Sequence, residues 1–345
     1  MDALMKHLAA GKNLSPAQVT AAAAFLVEPS AAATEKADFL RALARKGETP
    51  DEIAAFVGEF LKLAVDPGIN VAKAPGPILD VVGTGGDKLN LFNVSTTSMF
   101  VLAAGGVCIV KHGNRGITGK SGGADVLEAL GIKIDLPRER VAAGVQEIGL
   151  GFLFAPLYHP AFKAVAEARK ILAAEGQRSI FNILGPLLNP ARPDFQLVGV
   201  FDPALTKVFG DILKKLGRKA AWIVHGSAGA GRGMDEFSTI GVNTVIRLQN
   251  KKLVKDEIDP HALGFAKPKL DDLVGGDATE NANLLEGILA GTIKGPKRDL
   301  VVLNAAAGFV ITGKAKNLAD GKALAEEIID RGAAHAKMRA MQDLC

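Results

Sequence analysis

The hydrophobic pattern divides the chain into two textures. Up to about residue 74 apolar positions recur at helical spacing and no alternating or continuous strand pattern is present. Ser15-Pro16 predicts an N-cap followed by proline at the first helical position, opening a helix that runs to about Val27. Ala31 to Arg45 and Ile53 to Leu63 continue the pattern, and Thr49-Pro50-Asp51-Glu52 supplies a helix start with acids in its first turn. The proline-rich Lys73-Ala74-Pro75-Gly76-Pro77 then marks a boundary.

Beyond it, strands alternate with helices. Continuous apolar runs predict strands at Ile78 to Val82, Val107 to Val110, Gly151 to Phe154, Ala220 to Val224 and Asn243 to Leu248. Helices are expected at Val94 to Ala104, Ala124 to Leu130, Arg138 to Ile148, Pro160 to Ala174, Ala204 to Leu216 and Asn281 to Ala290. Two more are expected at Arg298 to Gly313 and Leu318 to Met341. Alternation of this kind predicts an α/β fold whose ligands bind outside the carboxyl ends of its strands.

Two glycine-rich turns follow the first two strands. Gly83-Thr84-Gly85-Gly86-Asp87 comes after Ile78 to Val82, and Lys111 to Gly123 comes after Val107 to Val110. A glycine-rich turn at a strand end lets backbone N–H groups converge on an anion. The second turn adds Lys111, Arg115 and Lys120, with no acid before Asp125. Together they suggest one ligand carrying two phosphate groups. Neither is a nucleotide fingerprint: position 88 is Lys where a dinucleotide motif has Gly, and Asn114 stands where a P-loop has its first Gly. Downstream, Asp235-Glu236 follows the strand at Trp222 to Val224 and the loop HGSAGAGRGM. Paired acids usually form a solvated surface, but after a glycine-rich loop they also suit Mg²⁺, which binds through one or two carboxylates plus substrate phosphates. Arg169 and Arg178 lie in or near a helical stretch, where most arginines are surface residues.

Composition narrows the classes. The chain has 345 residues, 48% hydrophobic, with one Tyr and one Trp. So few large aromatics argue against a stacking surface for single-stranded nucleic acid, and a net charge of +4 is too small for a nucleic-acid-binding protein. Cys108 and Cys345 are its only thiols, and Cys108 sits in an apolar run, as expected of a buried free thiol in a reducing, cytoplasmic compartment. His112 and His159 lack metal-ligand spacing with the cysteines, so zinc is not expected. No signal peptide or membrane span is predicted.

Nine segments, in order, resemble the anthranilate phosphoribosyltransferase family: GTGGD, NVST at 93–96, KHGNR at 111–115, KSGGADVLEALG at 120–131, FLFAPLYHPA at 152–161, RSIFNILGPLLNPA at 178–191, MDEFS at 234–238, GGDATENA at 275–282 and RDLVVLNAAAG at 298–308. The resemblance spans nearly the whole chain. It implies transfer of phosphoribose from phosphoribosyl pyrophosphate (PRPP) to the amine of anthranilate in tryptophan biosynthesis, with release of pyrophosphate. It implies that Gly83, Gly86 and Asp87 bind the pyrophosphate and that Asn93, Ser95 and Thr96 form a second phosphate segment at a helix N-terminus. Ser95, Asp235 and Glu236 match Mg²⁺-binding positions; Lys111 and the loop to Gly119 match a flexible cover over PRPP. Asn114 and Arg169 match anthranilate-binding positions, with Gly83 lining the same pocket; Lys111 and Arg169 are the catalytic candidates. A planar guanidinium suits the acid's carboxylate. The implied architecture is a small helical domain, 1–74 plus a returning segment near 170–190, hinged to an α/β domain with a mainly parallel sheet at 75–345, usually as a homodimer.

Departures from the family pattern are Leu91 where Ser or Thr is common, Thr118-Gly119 where two serines are common, Gly123 where Ser is common, and a longer loop before the acidic pair. Two other readings share some features. A pyrimidine nucleoside phosphorylase-like enzyme shares the N-terminal helices, but GTGGD with KHGNR fits it less well. A non-catalytic nucleic-acid-binding paralogue is opposed by the presence of Lys111, Arg169, Asp235 and Glu236.

Overall fold

The fold is seen in a computed structural model of the chain, which describes residues 1–116 and 121–344. Helices α1 (Asp2–Ala9), α2 (Pro16–Val27), α3 (Ala33–Lys46) and α4 (Pro50–Lys62) open it. Both predicted starts form capping boxes: Ser15 with Gln18 at α2, Thr49 with Glu52 at α4, each followed by proline. Glu52 is buried and also accepts from Leu14 N–H at 2.8 Å and Lys46 Nζ at 2.5 Å, so one capping acid ties α4 to α3 and to the start of α2. The apolar faces meet around Leu26, Phe39, Leu43, Phe56 and Phe60. That core is shared with Val165, Ala168, Leu172, Phe181 and Leu184, from far along the chain. The buried Lys36 donates to Glu28 O at 2.6 Å and to Ala164 O at 2.7 Å, which fastens this returning stretch to the N-terminal helices.

The sheet begins with β1 (Ile78–Gly83), followed by α5 (Val94–Ala104), β2 (Cys108–Gly113), α6 (Gly123–Ala129), α7 (Arg138–Ile148) and β3 (Leu150–Phe154). A short α8 (Ala155–Tyr158), α9 (Ala166–Ala174) and α10 (Phe181–Leu184) precede β4 (Phe195–Gly199), α11 (Ala204–Lys215), β5 (Ala220–Ser227), β6 (Gly233–Met234), β7 (Asn243–Gln249) and β8 (Lys252–Ile258). Helices α12 (Ala278–Leu289), α13 (Pro296–Ile311), α14 (Leu318–Asp330) and α15 (Ala333–Asp343) close the order. The main sheet runs β3-β2-β1-β4-β5-β7-β8; β3 through β5 pair in parallel, and β7 and β8 extend it antiparallel. The chain winds outward from β1 through β2 to β3, then returns to place β4 on β1's other edge. The strand order therefore reverses between β1 and β4, the position at which open α/β sheets leave a crevice for ligands.

Several expectations are corrected. The stretch from Leu318 to Met341 is two helices, because Arg331 ends the first and Gly332 turns the chain with a φ of 74°. Pro160 to Ala174 begins as a 3₁₀ segment to Val165 and becomes α-helical only at α9. Strands β4, β6 and β8 lie outside the predicted strands, while α1 falls within the stretch up to about residue 74 read as helical. β8 is mostly exposed, so it lacks the apolar run that marks the buried strands. Helix α13 is buried on nearly every side, from Leu300 to Phe309, wedged between the sheet and α5.

Candidate active site

The crevice at the strand reversal is lined by glycines for a steric reason. Gly83 ends β1 and Gly199 ends β4, as direct neighbours in the sheet. A Cβ on Gly83 would stand 2.2 Å from Asp235 Oδ2, and one on Gly199 would stand 1.6 Å from Asp235 O. Only bare backbone at both strand ends lets the acidic pair enter the crevice. Thr84 N–H donates to Gly199 O at 3.0 Å, and Gly85 N–H donates to Asp235 Oδ2 at 2.6 Å. Gly85 and Gly86 adopt φ of 69° and 88°, which turns the chain sharply away from β1. Asp87 then closes the turn by accepting from Leu89 N–H at 3.1 Å.

The second segment meets the same acids. Asn93 precedes α5, and Ser95 N–H in its first turn donates to Glu236 Oε1 at 3.2 Å. Lys111, at the carboxyl end of β2, is buried and donates to Val81 O at 2.5 Å and Ser95 Oγ at 3.2 Å. A Cβ on Gly123 would come 3.0 Å from Thr96 Oγ1, so the glycine at this departure from the family pattern packs α6 against α5. The structure thus brings together Gly83, Gly86, Asp87, Ser95, Thr96, Lys111, Asp235 and Glu236.

The charges in this cluster are far from their aqueous balance. Burial pushes the Asp235 and Glu236 carboxyls well above the ordinary range, with the Asp87 carboxylate adding to it at Asp235 and Asp235 adding to it at Glu236. Burial holds the Lys111 ammonium below its ordinary range, opposed by Asp80, Glu236 and Asp235. Buried Asp80, one residue before Val81, is raised by desolvation to about 6. Acids driven this way favour an added cation. Among the described residues no three His, Cys, Asp or Glu side chains form a complete metal cage. An oxygen-preferring Mg²⁺ that takes its remaining ligands from phosphates and water needs only such a pair. The donor set therefore fits the group, with Asp235, Glu236 and Ser95 Oγ as its protein oxygens.

Other predicted residues are placed differently. Arg115 is not free to meet a phosphate: it ion-pairs with Glu128 at 2.8 Å and approaches Asp125 at 4.0 Å, both on α6. The acids that neutralise it come ten or more positions later, so the basic run reads as unopposed in sequence. Gly119 and Lys120 lie outside the described residues. Asn114 is exposed, with its backbone O accepting from Ala124 N–H at 3.2 Å. Arg169 sits on α9, half-buried, with its guanidinium 5.5 Å from the Phe181 ring centre, so it is not a solvated surface arginine. Burial lowers its pKa from the ordinary value. Among the described residues no hydrogen bond joins Arg169 to Asn114 or Gly83.

Sequence reasoning passed over other members of the neighbourhood. Gly199 had no glycine-rich motif to announce it. Arg178, read as an ordinary surface residue, stacks 4.6 Å from the Phe201 ring centre, and Phe201 in turn flanks Gly86. His112 and His159 stand ring to ring at 5.2 Å, buried, with both pKa values lowered by desolvation, that of His112 to about 3. They pack as neutral imidazoles.

Comparison with known proteins assigns this arrangement. Residues 75–335 match the family described as "Glycosyl transferase family, a/b domain", and residues 3–64 match "Glycosyl transferase family, helical bundle domain". The anthranilate phosphoribosyltransferase of Desulfatibacillum aliphaticivorans is 42% identical over 338 residues, covering 98% of this chain and 96% of that one. The chain belongs to the anthranilate phosphoribosyltransferase family. The Methanocorpusculum labreanum member is likewise 42% identical, over 97% of this chain and 95% of its own. Among solved structures, the family member from Thermus thermophilus superposes with a TM-score of 0.90 at 37% identity, covering 99% of this chain and 98% of that one. The Saccharomyces cerevisiae enzyme, solved in complex with PRPP and Mg, superposes with a TM-score of 0.87 at 27% identity, over 99% of this chain and 96% of that one.

Proposed function

We propose that this chain transfers the phosphoribosyl group of PRPP to the amine of anthranilate, giving N-(5-phosphoribosyl)anthranilate and pyrophosphate, as a step of tryptophan biosynthesis. The observation that carries the reading is the meeting of Lys111, Asp235, Glu236 and the α5 N-terminus at the β1–β4 reversal. One side of the crevice offers amides and an ammonium to phosphates, the other offers carboxylates to a cation.

The residues divide the work as follows. The Gly83–Asp87 turn binds the pyrophosphate, with Gly86 near its end. Asn93, Ser95 and Thr96 bind a further phosphate at the α5 N-terminus, where N–H groups and the helix dipole favour an anion. Asp235, Glu236 and Ser95 Oγ would hold Mg²⁺, which would supply positive charge near the pyrophosphate. Lys111, held by Val81 O and Ser95 Oγ, stabilises the negative charge that grows as the C1–oxygen bond breaks. Arg169 receives the anthranilate carboxylate in a two-pronged contact, and Asn114 with Gly83 completes that pocket. The aromatic amine then attacks C1 as the ribose gains oxocarbenium character. No strong base is needed before attack, so catalysis rests on orientation and leaving-group stabilisation.

The domain arrangement follows the same reading. Residues 1–74 with the returning 170–190 stretch form the helical unit, residues 75–345 form the α/β unit, and closure between them excludes the water that would hydrolyse PRPP. The enzyme works as a cytoplasmic homodimer; among the described residues no helix is long and apolar enough to cross a membrane. The test is anthranilate fluorescence followed with PRPP and Mg²⁺. Consumption that requires all three components supports the reading. Turnover of a pyrimidine nucleoside with phosphate, and none of anthranilate, would replace it with the phosphorylase alternative.

A further inference from the structure

The GGDATENA segment at 275–282 has no part in the site as described, yet its polar side chains are tied into a network that reaches it. Asp277 and Glu280 form the capping box of α12, with Glu280 N–H donating to Asp277 Oδ1 and Asp277 N–H to Glu280 Oε2, both at 2.9 Å. That box presents Asn281, which is 2% exposed, to the entrance of α5. Asn281 Oδ1 accepts from Gly276 N–H at 2.8 Å, which fixes which end of the amide faces outward. Asn281 Nδ2 then donates to Asn93 Oδ1 at 3.1 Å. Ser121 Oγ donates to the same Asn93 oxygen at 3.4 Å, and Asn93 Nδ2 donates to Ser121 O at 3.1 Å. The backbones are stitched as well: Leu91 bridges Val274, and Gly275 N–H donates to Asn90 O at 2.8 Å. Gly275 is required there, since a Cβ would stand 2.7 Å from the backbone of Phe92.

We infer that Asn281 is a positioning residue for PRPP: it sets the amide orientation of Asn93 and holds the segment 90–93 in register with Ser121. The inference rests on the reading of Asn93 as part of the phosphate segment. The Asn93 amide has two ends and two orientations. With a donor facing it from Asn281, its oxygen must point to that side and its Nδ2 toward the Ser121 carbonyl. Without that donor Asn93 Oδ1 keeps only the longer contact from Ser121 Oγ at 3.4 Å, so the amide is held more weakly, and the α5 entrance loses its side-chain link to α12. Asn281 touches neither substrate, so its effect must pass through Asn93.

The test compares Asn281→Asp, Asn93→Ala and the two combined, in the full-length enzyme. Asn281→Asp keeps the acceptor for Gly276 N–H and removes the Nδ2 donor, which serves Asn93 Oδ1 at 3.1 Å and Gly276 O at 3.2 Å. Its PRPP KM is expected to rise about tenfold, the scale of one buried hydrogen bond and its unsatisfied partner, with the anthranilate KM within about twofold. In the Asn93→Ala background the same change should add less than about twofold, because residues acting through one contact are not additive. A purely structural residue would instead lower Tm and leave the PRPP KM where it was. If the Asn281→Asp chain does not fold, Asn281→Ser carries the same expectation. Asn93→Ala raising the PRPP KM while both Asn281 variants leave it unchanged overturns the inference alone, as does a full tenfold effect persisting in the double variant. An unchanged PRPP KM in Asn93→Ala removes the reading beneath it.

Discussion

The residues proposed to bind PRPP and those proposed to bind anthranilate are held by opposite means. On the PRPP side, Gly85, Ser95, Lys111, Asp235 and Glu236 are held by backbone and side-chain hydrogen bonds between 2.5 and 3.2 Å. The acids fit there because two Cβ atoms are absent, and their ionised forms are disfavoured by burial. Where anthranilate is proposed to bind, Arg169 stands on a short helix against one aromatic ring, and Asn114 is exposed. A site that binds a multiply charged ligand needs its groups preorganised against their mutual repulsion. A site for a small aromatic acid carries less charge to hold apart.

The largest effect should come from breaking the rigid side. Asp235→Asn combined with Glu236→Gln should lose on the order of a thousandfold in kcat and most of its Mg²⁺ dependence. The rate is measured against Mg²⁺ concentration; a curve like the parent's would contradict the metal placement. On the acceptor side, Arg169→Ala should lower kcat/KM for anthranilate by about 30- to 1000-fold, corresponding to roughly 2–4 kcal/mol for a paired charge-assisted contact. Titration calorimetry should find PRPP affinity nearly unchanged. Arg169→Lys should restore only part of the loss, because an ammonium lacks the planar fork. Loss of PRPP affinity with an unaltered anthranilate KM would mean the two sides have been exchanged.

A smaller effect distinguishes strained acids from merely buried ones. Asp235 and Glu236 have folded-state pKa values raised above 3.8 and 4.5 to about 7 and about 8. The folded state therefore binds more protons than the unfolded one between those limits, and stability falls as pH rises through that window. Mg²⁺ should reverse the trend by favouring the ionised pair, so its Tm increment should be larger at pH 8 than at pH 6, by about 2–4 °C. The double variant should lack the difference and be the more stable chain at pH 8. Scanning calorimetry at both pH values decides it. The smallest effect is expected outside the crevice: Arg115→Ala should change the PRPP KM by less than about twofold, since its guanidinium is occupied by Glu128 at the surface. A larger change in steady-state kinetics would return Arg115 to the phosphate site.

Much of this was legible in one dimension. Caps at Ser15 and Thr49, the proline boundary at 73–77, and apolar runs entering glycine-rich turns are local features, readable from neighbours in sequence. They determined the helical start, the α/β alternation, and the glycine-rich turn after β1. The resemblance of ordered motifs carried the expected chemistry onto particular residues. Only the tertiary structure decided that β4 lies beside β1, placing Gly199 against Asp235, because strand order depends on contacts between segments more than a hundred residues apart. It alone decided that Arg115 is neutralised while Lys111 is buried, and that Asn281 answers Asn93 across 188 positions. Burial and charge pairing belong to neighbours in space, and a sequence lists only neighbours along the chain.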